Sequence, residues 1–207
     1  MKPVLHDWRQ RDLIGGHPAI DFANTCSGWG EGNEDWLVDY GRFAHWASMA
    51  GLIDEAELKR AAAGAARNPI VADRVFAEAN ELRFAFLRLL HAVKAGSSAK
   101  AGDLAVVNRW IRRAAELVEL RQVGLAFRED WTEPLPVLEK PLLAAARAIG
   151  QFLAAGDFGR LKICPGQNCR WFFVDLSKNH SRRWCDMAVC GNLAKARRFQ
   201  HRQRAVH

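Results

Sequence analysis

The chain has 207 residues, 49% of them apolar, enough to build a buried core and to exclude an intrinsically disordered protein. No uninterrupted apolar run of about 18 residues occurs, and no apolar stretch follows Met1-Lys2-Pro3, so neither a membrane span nor a secretory leader is expected and the chain is placed in the cytoplasm. The formal charge of +7 is unevenly distributed: residues 160–207 hold 11 Lys/Arg against 2 Asp/Glu, residues 1–159 hold 19 against 21. Such a localised positive field points to a polyanionic partner, because release of condensed counterions drives that kind of binding.

Helical spacing dominates the first 155 residues. Trp36, Tyr40, Phe43, Ala47 and Ala50 predict a helix with Asp35 as N-cap and Gly51 as stop. Asp54 is placed to cap a second helix that runs to Arg67 and is ended by Asn68-Pro69. Val75, Ala79, Leu82, Phe86, Leu89 and Val93 form one long apolar stripe that stops at Gly96. Asp103 precedes another helix, with Leu104, Val107, Ile111 and Ala114 facing inward. Between 116 and 131 the period changes: Val118 and Leu120, then Leu125 and Phe127, alternate with polar residues around Gly124, which predicts a β-hairpin. Pro134, Pro136 and Pro141 lead into a last helix carrying Leu142, Ala146, Ile149 and Leu153.

Residues 154–159 read as a short linker. The predicted organisation is therefore a helical domain, 1–156, followed by a small module, 160–207, with a separable core. The fold class is mainly α with a small β-hairpin, ending in a treble-like zinc module and a basic helix.

Zinc is the reading of the cysteines. Cys164, Cys169, Cys185 and Cys190 follow a C-x4-C-x15-C-x4-C spacing, in which two close pairs separated by a loop can meet around one tetrahedral ion. Clustered cysteines in a reducing compartment favour metal over disulfides, and zinc over an iron–sulfur cluster. Four thiolates leave no open coordination position, so one structural Zn2+ per chain is expected. Pro165-Gly166 and Gly191 suit the tight turns that each pair needs. Trp171, Phe172, Phe173, Val174, Trp184 and Met187 are expected to pack as a small core around the site, with a strand over 171–176.

After Cys190, Asn192 is a suitable N-cap for a helix on which Leu193, Ala196 and Phe199 share one side, predicted to be packed, while cations occupy the rest. Arg170, Lys178, Arg182, Arg183, Lys195, Arg197, Arg198, Arg202 and Arg204 are the candidate nucleic-acid contacts.

The stretch Trp184-Cys185-Asp186-Met187-Ala188-Val189-Cys190-Gly191-Asn192, followed by Ala194-Lys195-Ala196-Arg197-Arg198, resembles the CGNR zinc-finger family. The earlier cysteine pair and Phe173-Val174-Asp175-Leu176-Ser177 fit the same pattern. Upstream, Gly16-His17-Pro18-Ala19-Ile20-Asp21-Phe22-Ala23-Asn24-Thr25 resembles the opening of the ABATE domain. The resemblance implies a helical N-terminal domain, a zinc finger and a role in stress-induced regulation of transcription. One letter departs from the signature, since Leu193 stands where the family has Arg.

Asp21, Asn24 and Thr25 either line a ligand pocket or, the favoured reading, cap turns and tie the first helix to the core. His17 and Cys26 match no nucleophile–base pattern, and His45 and His91 sit among apolar residues as ordinary helix histidines. No Gly-rich phosphate loop and no H-E-x-x-H occurs, so no enzyme is expected. The sequence thus predicts a DNA-binding regulator whose N-terminal domain senses a small-molecule effector or forms a homodimer. The alternatives are an RNA-binding or ribosome-associated module and, less favoured, an enzyme with a zinc docking domain.

Overall fold

The computed structural model describes residues 2–26 and 34–204, except for the side chains of His201, Arg202 and Arg204. A short strand β1, Lys2–Pro3, pairs in parallel with β2, Glu34–Asp35. Helix α1, Pro18–Ala23, starts where His17 Nδ1 accepts the Ala19 N–H at 3.2 Å and Pro18 occupies the first turn. Helix α2, Tyr40–Met49, is capped by Asp39, and α3, Glu55–Arg67, by a reciprocal Asp54–Glu57 box. Asn68 ends α3 and also caps α4, Pro69–Lys94, so one Asn-Pro pair serves both helices. Helix α5, Ala101–Ala115, leads into the antiparallel strands β3, Val118–Val123, and β4, Ala126–Trp131, which turn at Gly124 with φ +63°. Helix α6, Lys140–Ala155, stops at Gly156 in the left-handed conformation. Strands β5, Leu161–Ile163, and β6, Phe172–Val174, form a second antiparallel pair. A π-helical turn, Met187–Gly191, runs directly into α7, Asn192–Arg204. The predicted stripe on α4, the hairpin and the α6 boundary all match this order.

Helix α4 is central, packed against α1, α2, α3, α5 and α6. Its Val75, Ala79, Leu82, Phe86 and Leu90 meet Ile20, Phe22, Phe43, Trp46, Leu142, Leu143 and Ile149 in one buried cluster. Each large side chain taken fully out of water there contributes roughly 1.5–3 kcal/mol. No helix among the described residues is long and apolar enough to cross a membrane.

Three local expectations are corrected. Asp35 does not cap α2. It sits in β2 and receives the guanidinium of Arg83, which is 0% exposed and donates to Asp35 Oδ1 and Oδ2 at 2.8 and 2.6 Å, Thr25 Oγ1 at 2.7 Å and Asn80 Oδ1 at 2.7 Å. A buried guanidinium requires a carboxylate, so the helix begins a turn later, at Asp39. Asp103 lies inside the first turn of α5, held by Arg88 at 2.7–2.8 Å, and Leu104 is 41% exposed; Val107, Trp110 and Ala114 supply the buried stripe.

The third correction concerns separable cores. Leu161 and Phe172 belong to the same buried cluster as the helices, with Ile163 and Val174 packed against it. Asn24 bridges the two parts like a strand neighbour: its Nδ2 donates to the Phe172 carbonyl at 2.7 Å and its Oδ1 accepts the Phe172 N–H at 2.9 Å. Val174 N–H donates to the Gly15 carbonyl at 2.8 Å, and Lys94 Nζ to the Leu161 carbonyl at 2.8 Å. Leu161, Phe172 and Val174 thus extend the helical core, while Phe173, on the other face of β6, packs in a small cluster of its own with Cys164 and Cys185.

Candidate metal centre and nucleic-acid interface

Cys164 follows β5 directly, and its N–H donates to the Trp171 carbonyl at 2.8 Å, which prolongs the β5–β6 ladder. The loop between, closed by Cys169 N–H on the Gly166 carbonyl at 3.1 Å, returns Cys169 toward Cys164. Cys185 arrives on the far side, and the π-helical turn after Asp186 brings in Cys190. The four sulfurs all lie within 4.8 Å of one another, with Cys169–Cys185 at 3.3 Å and Cys185–Cys190 at 3.7 Å. A tetrahedral site with Zn–S bonds of about 2.3 Å demands S···S separations of about 3.8 Å. The donor set is therefore already close to the size of a zinc tetrahedron, and these four cysteines can hold one zinc ion.

At this spacing the four thiols compete for negative charge. Hydrogen bonds from Cys169 and Cys185, with backbone N–H groups of Cys185 and Gly166, hold the Cys164 thiol down to about 2. Its neighbours move oppositely: the bond with Cys164 pushes Cys169 up to about 12, Cys164 and Cys169 push Cys185 up, and burial raises Cys190. Four thiolates cannot coexist at this spacing without a cation among them. Gly166 fits the knuckle closely, since a Cβ there would stand 3.0 Å from Cys169 Cβ and 3.2 Å from Cys190 Sγ. Cys26 is buried elsewhere, its thiol 3.7 Å from the Ala23 carbonyl, and does not join the group.

Phe173 is buried between Cys164 and Cys185, with Trp171 and Trp184 half-buried against them, as expected. Phe172 instead faces the helical core, and Met187 is 49% exposed. The segment after β6 is fixed by a network that the sequence reading missed. Lys162 Nζ donates to Asp175 Oδ2 at 2.6 Å, the His180 carbonyl at 2.6 Å and the Arg182 carbonyl at 3.0 Å. Asp175 accepts from the Ser177 hydroxyl at 2.5 Å and its N–H at 3.0 Å. Burial pushes the Asp175 carboxyl up, but the Lys162 ammonium and Ser177 together outweigh it and hold it below the usual carboxylate range. Asp175-Leu176-Ser177 carried a local turn signal; nothing in the sequence distinguished Lys162 from the solvated cations.

The tail helix differs from expectation at both ends. Asp186, not Asn192, caps it: Asp186 Oδ1 accepts the Ala188 N–H at 2.6 Å, while Asn192 is already helical and donates to the Ala188 carbonyl at 3.0 Å. Leu193 is 54% and Phe199 64% exposed, so the predicted packed stripe is open. Among the described side chains from 191 onward, Gly191 is buried and Ala194 half-buried, both at the root, and the rest are exposed.

Arg170, Lys178, Arg183, Lys195, Arg197 and Arg198 are all exposed. Arg182 turns inward. Its guanidinium donates to the carbonyls of Ile14 at 3.0 Å, Trp184 at 3.1 Å and Cys185, and lies 4.6 Å over the Phe173 ring. Arg202 and Arg204 are on the last turn of α7, and their side chains fall outside the described residues. From Met187 to Arg204 the sequence contains no Asp or Glu, so the cations of α7 have no acidic neighbour on their own helix.

Asp21, Asn24 and Thr25 all serve as ties within the fold. Asp21 Oδ1 accepts the Gly15 N–H at 2.7 Å, and Thr25 donates to the Phe22 carbonyl at 2.8 Å. Burial pushes the Asp21 carboxyl up to about 7, against the opposing effects of the Gly15 N–H and Arg182.

Two family models match the chain. One, described as "Putative stress-induced transcription regulator" and named ABATE, covers residues 16–156, and the other, the CGNR zinc finger, covers residues 160–203. No curated protein matches the chain.

Proposed function

The chain belongs to the ABATE family and ends in a CGNR zinc finger, and from that premise we propose that it is a cytoplasmic, non-enzymatic regulator that binds duplex DNA through the zinc module and α7. The observation that carries the reading is the exposed, acid-free run of cations on α7, held at its root by the metal knuckle. Lys195, Arg197 and Arg198 are exposed on a helix whose described side chains are covered only in the first turn, a shape suited to laying against a nucleic-acid backbone. Arg170, Lys178 and Arg183 add charge on the same module. Arg202 and Arg204 continue the series, and Arg182 contributes by fixing the module to Ile14. Leu193, where the family has Arg, removes one cation but leaves the series intact. Transcriptional control in response to stress is the role that the family description suggests.

The β3–β4 hairpin is where we place self-association. Leu120 and Phe127 are about 70% exposed on one face of the projecting pair. Two β3 strands brought together antiparallel about Leu120 would set Glu119 opposite Arg121 of the second copy, and the reverse, so the 2.8 Å pair that these residues make within one chain would be exchanged for two pairs across the edge.

Titration of the zinc-loaded full chain with duplex DNA and with structured RNA of equal length tests the polymer. Tighter binding to duplex DNA supports the reading, and a preference for RNA overturns it in favour of an RNA-binding module.

A further inference from the structure

A cavity of about 690 Å³ lies between the N-terminal segment, Trp36 and the face of the zinc module at the root of α7. Its apolar wall is made by Ile14, Trp36, Trp171, Trp184, Val189 and Leu193. The tryptophans on this wall are differently committed. The Trp171 indole N–H donates to the Cys26 carbonyl, and Trp36 stacks on His6 with ring centroids 3.9 Å apart. Trp184 has no hydrogen-bond acceptor among the described residues, so its indole N–H is available.

Cys169, Cys185 and Cys190 also line the cavity, and zinc among the four thiolates would take up their charge only in part, so the state of the remaining charged side chains decides where an anion can sit. Asp12 is engaged by His6 Nε2 at 3.0 Å and by the Arg9 N–H at 2.9 Å. Asp186 is engaged as the cap of the π-helical turn. Arg11 and Arg197, in contrast, have no ion-pair or hydrogen-bond partner among the described residues, although both line the cavity. An apolar aromatic wall flanked by two unpaired guanidinium groups suits one class of occupant, a flat ring that carries an anionic group. The ring gains stacking and burial against indole faces, and the anion a charge-assisted bond.

We propose that this cavity is an effector site for a flat aromatic anion of small-molecule size, gripped between Arg11 on the N-terminal segment and Arg197 on α7. Binding there ties the root of the tail helix to the N-terminal domain, so the ligand acts on α7 at the point where its direction is set. The regulatory consequence rests on the DNA-binding reading above; the binding itself does not.

Naphthalene-2-carboxylate and the uncharged naphthalene-2-carboxamide are matched probes for the zinc-loaded full chain. Quenching of tryptophan fluorescence, checked by calorimetry, reads binding without DNA, so failure of the site and failure of DNA binding are distinguishable. The carboxylate should bind at least tenfold more tightly than the amide. Arg11→Ala should remove most of that difference, and Trp184→Ala should weaken both probes while zinc content stays at one per chain. Absence of carboxylate binding at millimolar probe would overturn the proposal. So would equal affinity for the two probes, or affinity unchanged in both variants.

Discussion

At Gly166 the zinc knuckle is decided by a single missing carbon. With Cys169 Cβ 3.0 Å and Cys190 Sγ 3.2 Å from where its Cβ would stand, Gly166→Ala must push two ligands apart. Zinc titration against a chromophoric chelator should show affinity for this variant reduced by at least tenfold, with Cys26→Ser unchanged; equal affinity would place the strain elsewhere. Asn24 is the matching residue on the other side of the boundary. Asn24→Ala leaves the Phe172 N–H and carbonyl buried without their partners, a loss of about 2–4 kcal/mol in denaturant unfolding. Asp21 adds a pH signature. Its folded pKa of about 7 lies above the ordinary 3.8, so protonation stabilises the fold. That contribution is complete below about pH 4 and lost as pH rises through 7. Asp21→Asn keeps an acceptor for the Gly15 N–H, and its melting temperature should gain on wild type as pH rises from about 4 to 7 and level off above that. A difference that stays constant over that range would mean that Asp21 is not protonated in the folded chain.

Elements were legible where one signal acts locally. Asp54, Asn68-Pro69, Gly124 and Gly156 each fix a boundary through a cap, a ring or a positive φ, and the sequence reading found them all. Asp35 and Asp103 were misplaced because both look like caps and both answer to a distant arginine, Arg83 or Arg88. Periodicity could not say whether the strip Leu193, Ala196 and Phe199 had anything to pack on. Because Phe199 is 64% exposed, Phe199→Ala should leave thermal stability within about 0.5 kcal/mol of wild type, unlike a core truncation of about 3–5 kcal/mol. A large loss would mean that α7 folds back onto the module. On the hairpin, the proposed β3 pairing predicts that the chain sediments as a dimer and that Leu120→Lys makes it a monomer without unfolding it; a monomeric wild type, or a dimer that survives the change, would exclude this edge as the interface.

At the scale of the whole molecule, the charge division and the cysteine spacing made the metal centre readable, because zinc ligation depends on four residues close in sequence pairs. Continuity of the core was not readable. It rests on Asn24 reaching Phe172, 148 positions away, and on Leu161 entering a helical cluster. The consequence is mechanical: the helical domain and the zinc module meet through a packed, hydrogen-bonded interface and not by a linker alone. Loss of any zinc ligand should therefore also lower the stability of the helical part, which hydrogen exchange on α4 and α6 would detect.

If the basic helix holds DNA through its phosphates, the affinity must depend on salt. Fluorescence anisotropy of labelled duplex DNA, titrated with zinc-loaded full chain at several salt concentrations, should give log affinity falling linearly with log salt. About four to six phosphate contacts predict a slope near −4 to −5. Arg198→Ala should flatten it by about 1 if that side chain meets a phosphate. Affinity that does not change with salt, or a wild-type slope that persists when Lys195, Arg197 and Arg198 are all replaced by Ala, would contradict the account.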